Sequence, residues 1–140
     1  MDIEVRLAGE NDLGIIHEIL NEIQKCEKKH RARRLKEALD SNFSTYLVAV
    51  TGDRVIGYLN MWHLPDLVDG GKLGILLDCY VLGEFRRRGV GKMLMEAAME
   101  IGKKQNVNKI FGWTDPGNKT AITLLKRHGF STESLMLERK

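Results

Sequence analysis

Between Arg86 and Lys92 the chain reads Arg-Arg-Arg-Gly-Val-Gly-Lys, a composition suited to holding an anion. The apolar stretch before it ends at Leu82, and apolar residues at helical spacing begin at Val90. The basic text therefore sits where a buried strand gives way to a helix. The first N–H groups of a helix have no intrahelical partner, and the helix dipole adds partial positive charge there. Phosphate oxygens satisfy those donors directly. Gly89 and Gly91 leave the backbone bare for close approach, while Arg86, Arg87, Arg88 and Lys92 supply charge around it. Two familiar phosphate motifs do not fit. A P-loop would need Ser or Thr where Met93 stands and glycine where Arg86 stands, and the dinucleotide fingerprint would need glycine at Leu94.

The elements that must carry this loop can be read from periodicity. Ile3 to Leu7 alternates like a half-exposed strand. Leu13, Ile16, Leu20 and Ile23 recur at helical spacing behind possible caps at Asn11 and Asp12, and Ala32, Leu35 and Leu39 mark a second helix. Thr45–Thr51 and Arg54–Leu64 form a hairpin about the turn Gly52-Asp53. Leu73–Leu82 is apolar nearly throughout, as a strand covered on both faces would be. Gly89–Lys104 is an amphipathic helix carrying Val90, Leu94, Ala97, Ala98 and Ile101. A strand over Lys109–Thr114 follows, then a helix capped by Asn118 and ended by Gly129, then an expected strand over Ser131–Leu137. The expectation is an α/β fold, a single domain over residues 1–140, in the order β-α-α-β-β-β-α-β-α-β.

A length of 140 residues, 43% hydrophobic and 29% charged, suits one ordinary globular core. The net charge of +3 favours an anionic ligand without demanding nucleic acid. The start Met-Asp-Ile-Glu-Val does not look like a signal peptide, and no apolar run approaches the ~20 residues that span a bilayer. Cys26 and Cys79 make no metal spacing, so a reduced cytoplasmic location and no metal are expected.

Leu77-Asp78-Cys79-Tyr80-Val81-Leu82-Gly83-Glu84-Phe85-Arg86-Arg87-Arg88-Gly89-Val90-Gly91 resembles the acetyl-CoA signature of the GNAT superfamily of N-acetyltransferases, (Gln/Arg)-x-x-Gly-x-(Gly/Ala) after a strand ending in valine. A second match runs from Asn118-Lys119-Thr120-Ala121-Ile122 to His128-Gly129-Phe130. Both lie at the family's spacing, and the resemblance covers nearly the whole chain. It implies a mixed, twisted sheet with helices on both faces and acetyl-CoA as co-substrate.

The resemblance also implies roles. Backbone groups of Cys79, Tyr80 and Val81 would hold the pantetheine arm, one amide polarising the thioester carbonyl. Amides from Arg87 to Lys92, within the loop Arg86, Arg87, Arg88, Gly89, Val90, Gly91 and Lys92, would hold the pyrophosphate, and Asn118 would touch the cofactor arm. The reaction implied is direct attack of a neutral amine on the acetyl carbonyl in a ternary complex. Many members place an acidic tyrosine seven residues after the asparagine, and here that position is Leu125. Tyr80 is the alternative acid, unless the thiolate leaves unaided.

Asp78, a carboxylate inside an apolar strand, is the candidate general base, with a backbone-bonded structural aspartate as the equal alternative. His63 reads as a half-exposed strand-end residue before it reads as a proton carrier. Cys79 reads as packing, His128 as a helix-end residue, and Trp62 and Trp113 as core or rim. The seven Lys or Arg residues from Lys25 to Lys36 read first as a solvated face, and second as a flap over an acidic substrate or a nucleic-acid contact. Three functions are weighed: an amine acetyltransferase, an acetyl-CoA-binding regulatory module without turnover, and a nucleic-acid module, the last disfavoured because no recognised RNA or DNA motif is present. The acceptor is a small-molecule or protein amine with no membrane partner, and a homodimer through the terminal strand is left open.

Overall fold

The computed structural model describes residues 2–140. Five strands form one sheet in spatial order β1-β2-β3-β4-β5: β1 Glu4–Leu7, β2 Ser44–Thr51, β3 Arg54–Pro65, β4 Lys72–Val81 and β5 Val107–Gly112. The first four are antiparallel neighbours, and β4 and β5 are parallel. A parallel pair needs a crossover, which is supplied by α3, Val90–Lys104. The other helices are α1 Leu13–Ile23, α2 Lys28–Asp40 and α4 Lys119–Arg127.

Successive side chains of β2 and β3 enter two different cores, which is why these strands are apolar without alternation. Tyr46, Val48 and Tyr58 meet Ile16 and Ile19 of α1 and Leu35 and Ala38 of α2. Leu47, Ala49, Leu59 and Met61 meet Leu94, Met95 and Ala98 of α3, with Leu124 and Leu125 of α4 packed beside them. Helices thus cover both faces, as expected, and the element boundaries fall within two residues of the sequence reading for most elements.

The expected strand over Ser131–Leu137 does not form: residues 131–140 carry no regular structure. Leu135 and Leu137 are 86% and 84% exposed, and β5 pairs only with β4 among the described residues. A short apolar run such as Leu135-Met136-Leu137 becomes a strand only when a ladder and a covered face accompany it; this segment has neither.

Candidate active site

The site begins with a split in the sheet. β5 pairs with β4 from Lys72 to Leu76, and the last bond across this seam runs from the Trp113 amide to the Leu76 carbonyl, 3.1 Å. Beyond it β4 continues to Val81 alongside β3 alone. A bulge marks the parting: Asn60 faces Asp78 and Met61 faces Leu76, so Leu77 has no partner on β3. A bulge re-aims the strand and increases its twist.

Past the bulge, the Leu82 amide bonds the Ile56 carbonyl at 2.9 Å. In an antiparallel ladder bonded and non-bonded pairs alternate. Tyr80 and Asp78 therefore bond to β3, while the backbone groups of Cys79 and Val81 turn away from it, to the side that β5 has left. The Val81 carbonyl confirms this direction, because it accepts a bond from Arg86 Nε at 3.0 Å. One strand edge thus presents two amides to an open cleft.

The basic loop closes one end of that cleft. A 3-10 turn, Gly83–Phe85, leads to Arg86 in extended geometry, and Gly89 precedes α3 with φ of 80°. Arg87 has φ of 63°, a left-handed conformation rare for a side chain of its kind, while Arg88 does not. The sign of φ therefore alternates from Arg86 to Val90. Such alternation turns successive N–H groups toward one side, making an anion-binding concavity at the start of a 15-residue helix. Strained backbone of this kind is often found at ligand sites. A Cβ at Gly89 would meet nothing within 4 Å, so the ground before the helix is open.

The arginines have their own supports. Phe85 is flanked by Arg54 at 5.2 Å and Arg88 at 5.7 Å, and Arg86 lies 5.4 Å from the centre of the Tyr80 ring. Lys92 lies 3.8 Å from Glu96 one turn on. Gly91 also serves packing: its Cβ would stand 3.3 Å from Leu124, so its smallness lets α4 lie close to α3.

Asp78 and Tyr80 share the sheet face covered by α1 and α2. Tyr46, Tyr58 and Tyr80 form a run of rings with centroids 5.8 Å and 6.4 Å apart. Asp78 is exposed, yet desolvation of its carboxylate raises its pKa from the ordinary value. Burial, and after it the Asp78 charge, raises both Tyr46 and Tyr58, so these phenols keep their protons. Tyr80 donates to Glu22 Oε2 of α1 at 3.4 Å. A carboxylate with raised proton affinity, walled by phenols, is suited to accept a proton from an amine.

Other expectations are answered by position. His63 is 6% exposed and paired with Thr45 Oγ1 at 2.8 Å; burial lowers its pKa. Along β3 it alternates to the face opposite Asp78, so it takes no part in the cleft. Cys79 is exposed and not the packing residue expected; its thiol is pushed up to about 11, first by desolvation and then by Asp78, which does not suit nucleophilic attack. Asn118 caps α4, its Oδ1 accepting from the Ala121 amide at 3.1 Å, which leaves its NH2 end for a ligand. His128 Nδ1 bonds the Leu124 carbonyl at 2.9 Å, a structural tie as read. Sequence reasoning missed Tyr46, Tyr58 and Glu22; the two tyrosines stood in recognised strands, but only the sheet register places them beside Asp78.

The model of the acetyltransferase (GNAT) family matches residues 14–130. The chain belongs to this family. An N-alpha-acetyltransferase of Sulfurisphaera tokodaii is 31% identical over 104 residues, which are 67% of this chain and 60% of that protein. The chain thus spans well under the full length of that relative. Among solved structures, a transcriptional regulator from Bacillus halodurans superposes with a TM-score of 0.90 at 22% identity, covering 99% of both chains. The acetyltransferase AAC(6')-Iy, in complex with the bisubstrate analogue CoA-S-monomethyl-acetylneamine, gives 0.88 at 21% identity, covering 100% of this chain and 99% of the other. At these identities the structures establish the fold.

Proposed function

We propose that the chain moves the acetyl group of acetyl-CoA directly to a primary amine, both reactants being bound together. The observation that carries this reading is the split between β4 and β5, where the amides of Cys79 and Val81 face an open cleft that ends at the alternating loop Arg86–Lys92. The donor set fits an elongated ligand with a polar arm and a phosphate end. Amides of the loop and the start of α3 would hold the pyrophosphate, with Arg86, Arg87, Arg88 and Lys92 adding charge. The Cys79 and Val81 amides would hold the arm, and the Asn118 NH2 would approach it from α4. Acetyl-CoA, when bound, supplies an activated acyl thioester.

The protein's own work is alignment and proton handling. An amine entering from the α1 and α2 side meets Asp78, whose raised pKa suits it to accept the amine proton. Amides on the free edge of β4 can stabilise charge developing on an acyl oxygen. Tyr80 is the remaining candidate acid on β4, its hydroxyl held by Glu22. Leu125 offers no proton, and a thiolate leaves without one more easily than an amine would.

A second reading, a regulatory module that binds acetyl-CoA without turnover, is favoured by Leu125 and by the resemblance to a protein named a transcriptional regulator. Thiol release from acetyl-CoA in the presence of a mixed panel of amines separates the two. Release that depends on an amine and falls in Asp78→Asn supports transfer; binding of CoA with no release for any amine supports the module.

A further inference from the structure

We propose that the acceptor carries an anionic group close to its reactive amine, and that α2 reads that anion. The inference rests on the transferase reading for the amine end, but its charge argument is independent of turnover.

From Lys25 to Lys36 the chain holds seven Lys or Arg residues against one acid, Glu27. A hollow of about 530 Å³ opens among them, lined by Cys26, His30, Arg31, Arg33 and Arg34. A chain of contacts through α1 links it to the site. Arg31 bonds Asn21 Oδ1 at 3.3 Å and the His17 carbonyl at 3.3 Å. Glu22, the next residue after Asn21, receives the Tyr80 hydroxyl. The charge of Arg31 is also felt at the Tyr58 hydroxyl, which neighbours Asp78.

The cations of the hollow are not equally neutralised. Arg34 is paired with Glu37 at 2.7 Å. Arg31 directs its donors to carbonyls, an amide oxygen and the His17 ring, none of them a carboxylate. No ion pair joins Arg33 to a carboxylate among the described residues. An acceptor with its amine at Asp78 and its body extending along α1 past Glu22 would reach this cationic rim. A polycationic acceptor would meet like charge there, whereas a carboxylate or phosphate would be attracted. This separates the chain from the aminoglycoside-acetylating proteins that share its fold, since aminoglycosides are polycations.

The test is calorimetry with saturating CoA on the intact chain. The probes are Ala-Glu-Glu-Glu, Ala-Gln-Gln-Gln and Ala-Lys-Lys-Lys amides, free glutamate, and N-acetylated Ala-Glu-Glu-Glu amide. Glutamate and the acidic peptide distinguish a small acceptor from a polypeptide one. At least one of these two is expected to bind about tenfold tighter than the lysine peptide, a preference that falls as salt rises. Arg33→Glu/Arg34→Glu, both exposed positions, should erase the preference while leaving CoA affinity unchanged. Blocking the amine of the acidic peptide should weaken its binding, because its nitrogen loses Asp78. Equal binding of acidic and basic probes, tighter binding of the lysine peptide, or no effect of the double variant would overturn the proposal. Charge-selective binding without thiol release would sustain it and count against transfer. Thiol release favouring the lysine peptide would do the reverse.

Discussion

Leu125 of α4 occupies the space that Gly112 leaves on β5: a Cβ at Gly112 would stand 2.5 Å from Leu125 Cδ2 and 3.3 Å from its Cγ. The position where many relatives carry a catalytic tyrosine is thus a packing peg that seats α4 on the sheet. Gly112→Ala forces the leucine aside and should cost about 1–3 kcal/mol. Leu125→Ala should also destabilise by opening a void. The double variant should cost less than the sum by about 1 kcal/mol, since each change relieves the other. Denaturant melts of the four proteins measure this; additive losses would contradict the contact.

A second pair sets the acid sensitivity of the fold. Arg6 holds the Asp12 carboxylate with bonds of 2.8 Å and 3.1 Å, and the Gly9 amide adds a third at 2.7 Å. The Arg6 hydrogen bond is the main cause lowering the Asp12 pKa, against the opposing effect of burial. A carboxylate with a depressed folded pKa stabilises the fold above its unfolded value, about 3.9, and loses that contribution as pH falls through the folded value. Asp12→Asn should lower stability at pH 7 by about 1–3 kcal/mol. It should also flatten the loss of stability below pH 4. A variant whose acid limb matches the parent's would show that other carboxylates govern it.

Much of this was legible in the residues, and the reasons differ from part to part. The loop Arg86–Lys92 could be found because its signal is local: glycines, cations and a strand-to-helix transition in seven residues. The elements of the two cores followed from periodicity. The terminal strand failed because the apolar run Leu135-Met136-Leu137 says nothing of a partner. The tyrosine wall was out of reach because Tyr46, Tyr58 and Asp78 come from three strands, joined only by register. Arg87 gave no warning of its left-handed backbone, since the sequence around it already offered a glycine for that purpose.

Asp78→Asn separates chemistry from stability. Because desolvation penalises the ionised form, the folded pKa is raised, so the charge costs stability increasingly as pH rises from the unfolded value through the folded one. The amide should therefore leave stability at pH 7 unchanged or improved. Activity should move the other way, with kcat/KM down about 10²–10⁴-fold and the limb of the pH–rate profile belonging to Asp78 lost. Acceptors of different amine pKa identify which limb belongs to the enzyme. Unchanged kcat/KM across that range would make Asp78 a structural residue.

Gly89 and Arg87 both hold left-handed backbone, yet they should respond differently. Gly89→Ala imposes a strain of about 1–2 kcal/mol and places a methyl group on the open ground before α3, so CoA affinity should fall by tenfold or more, about 1.4 kcal/mol. Arg87→Gly relieves strain and removes one charge while keeping the amide. Its stability should stay within about 1 kcal/mol of the parent, with only a few-fold loss of CoA affinity. Calorimetric titration of CoA into each variant checks this. Abolished binding in Arg87→Gly would mean that the side chain, not the backbone, carries the phosphate.

The central claim is that this chain holds CoA by the backbone of one split strand and one loop, and amide NMR on 15N-labelled protein titrated with CoA tests it most directly. The amides of Cys79 and Val81 on β4, and those from Arg87 to Lys92, should shift together in a saturable manner. The amides of Asp78 and Tyr80, already bonded to β3, should move less. Saturable shifts confined to α2 or to the hollow around Arg33, or no shifts at millimolar CoA, would contradict the account.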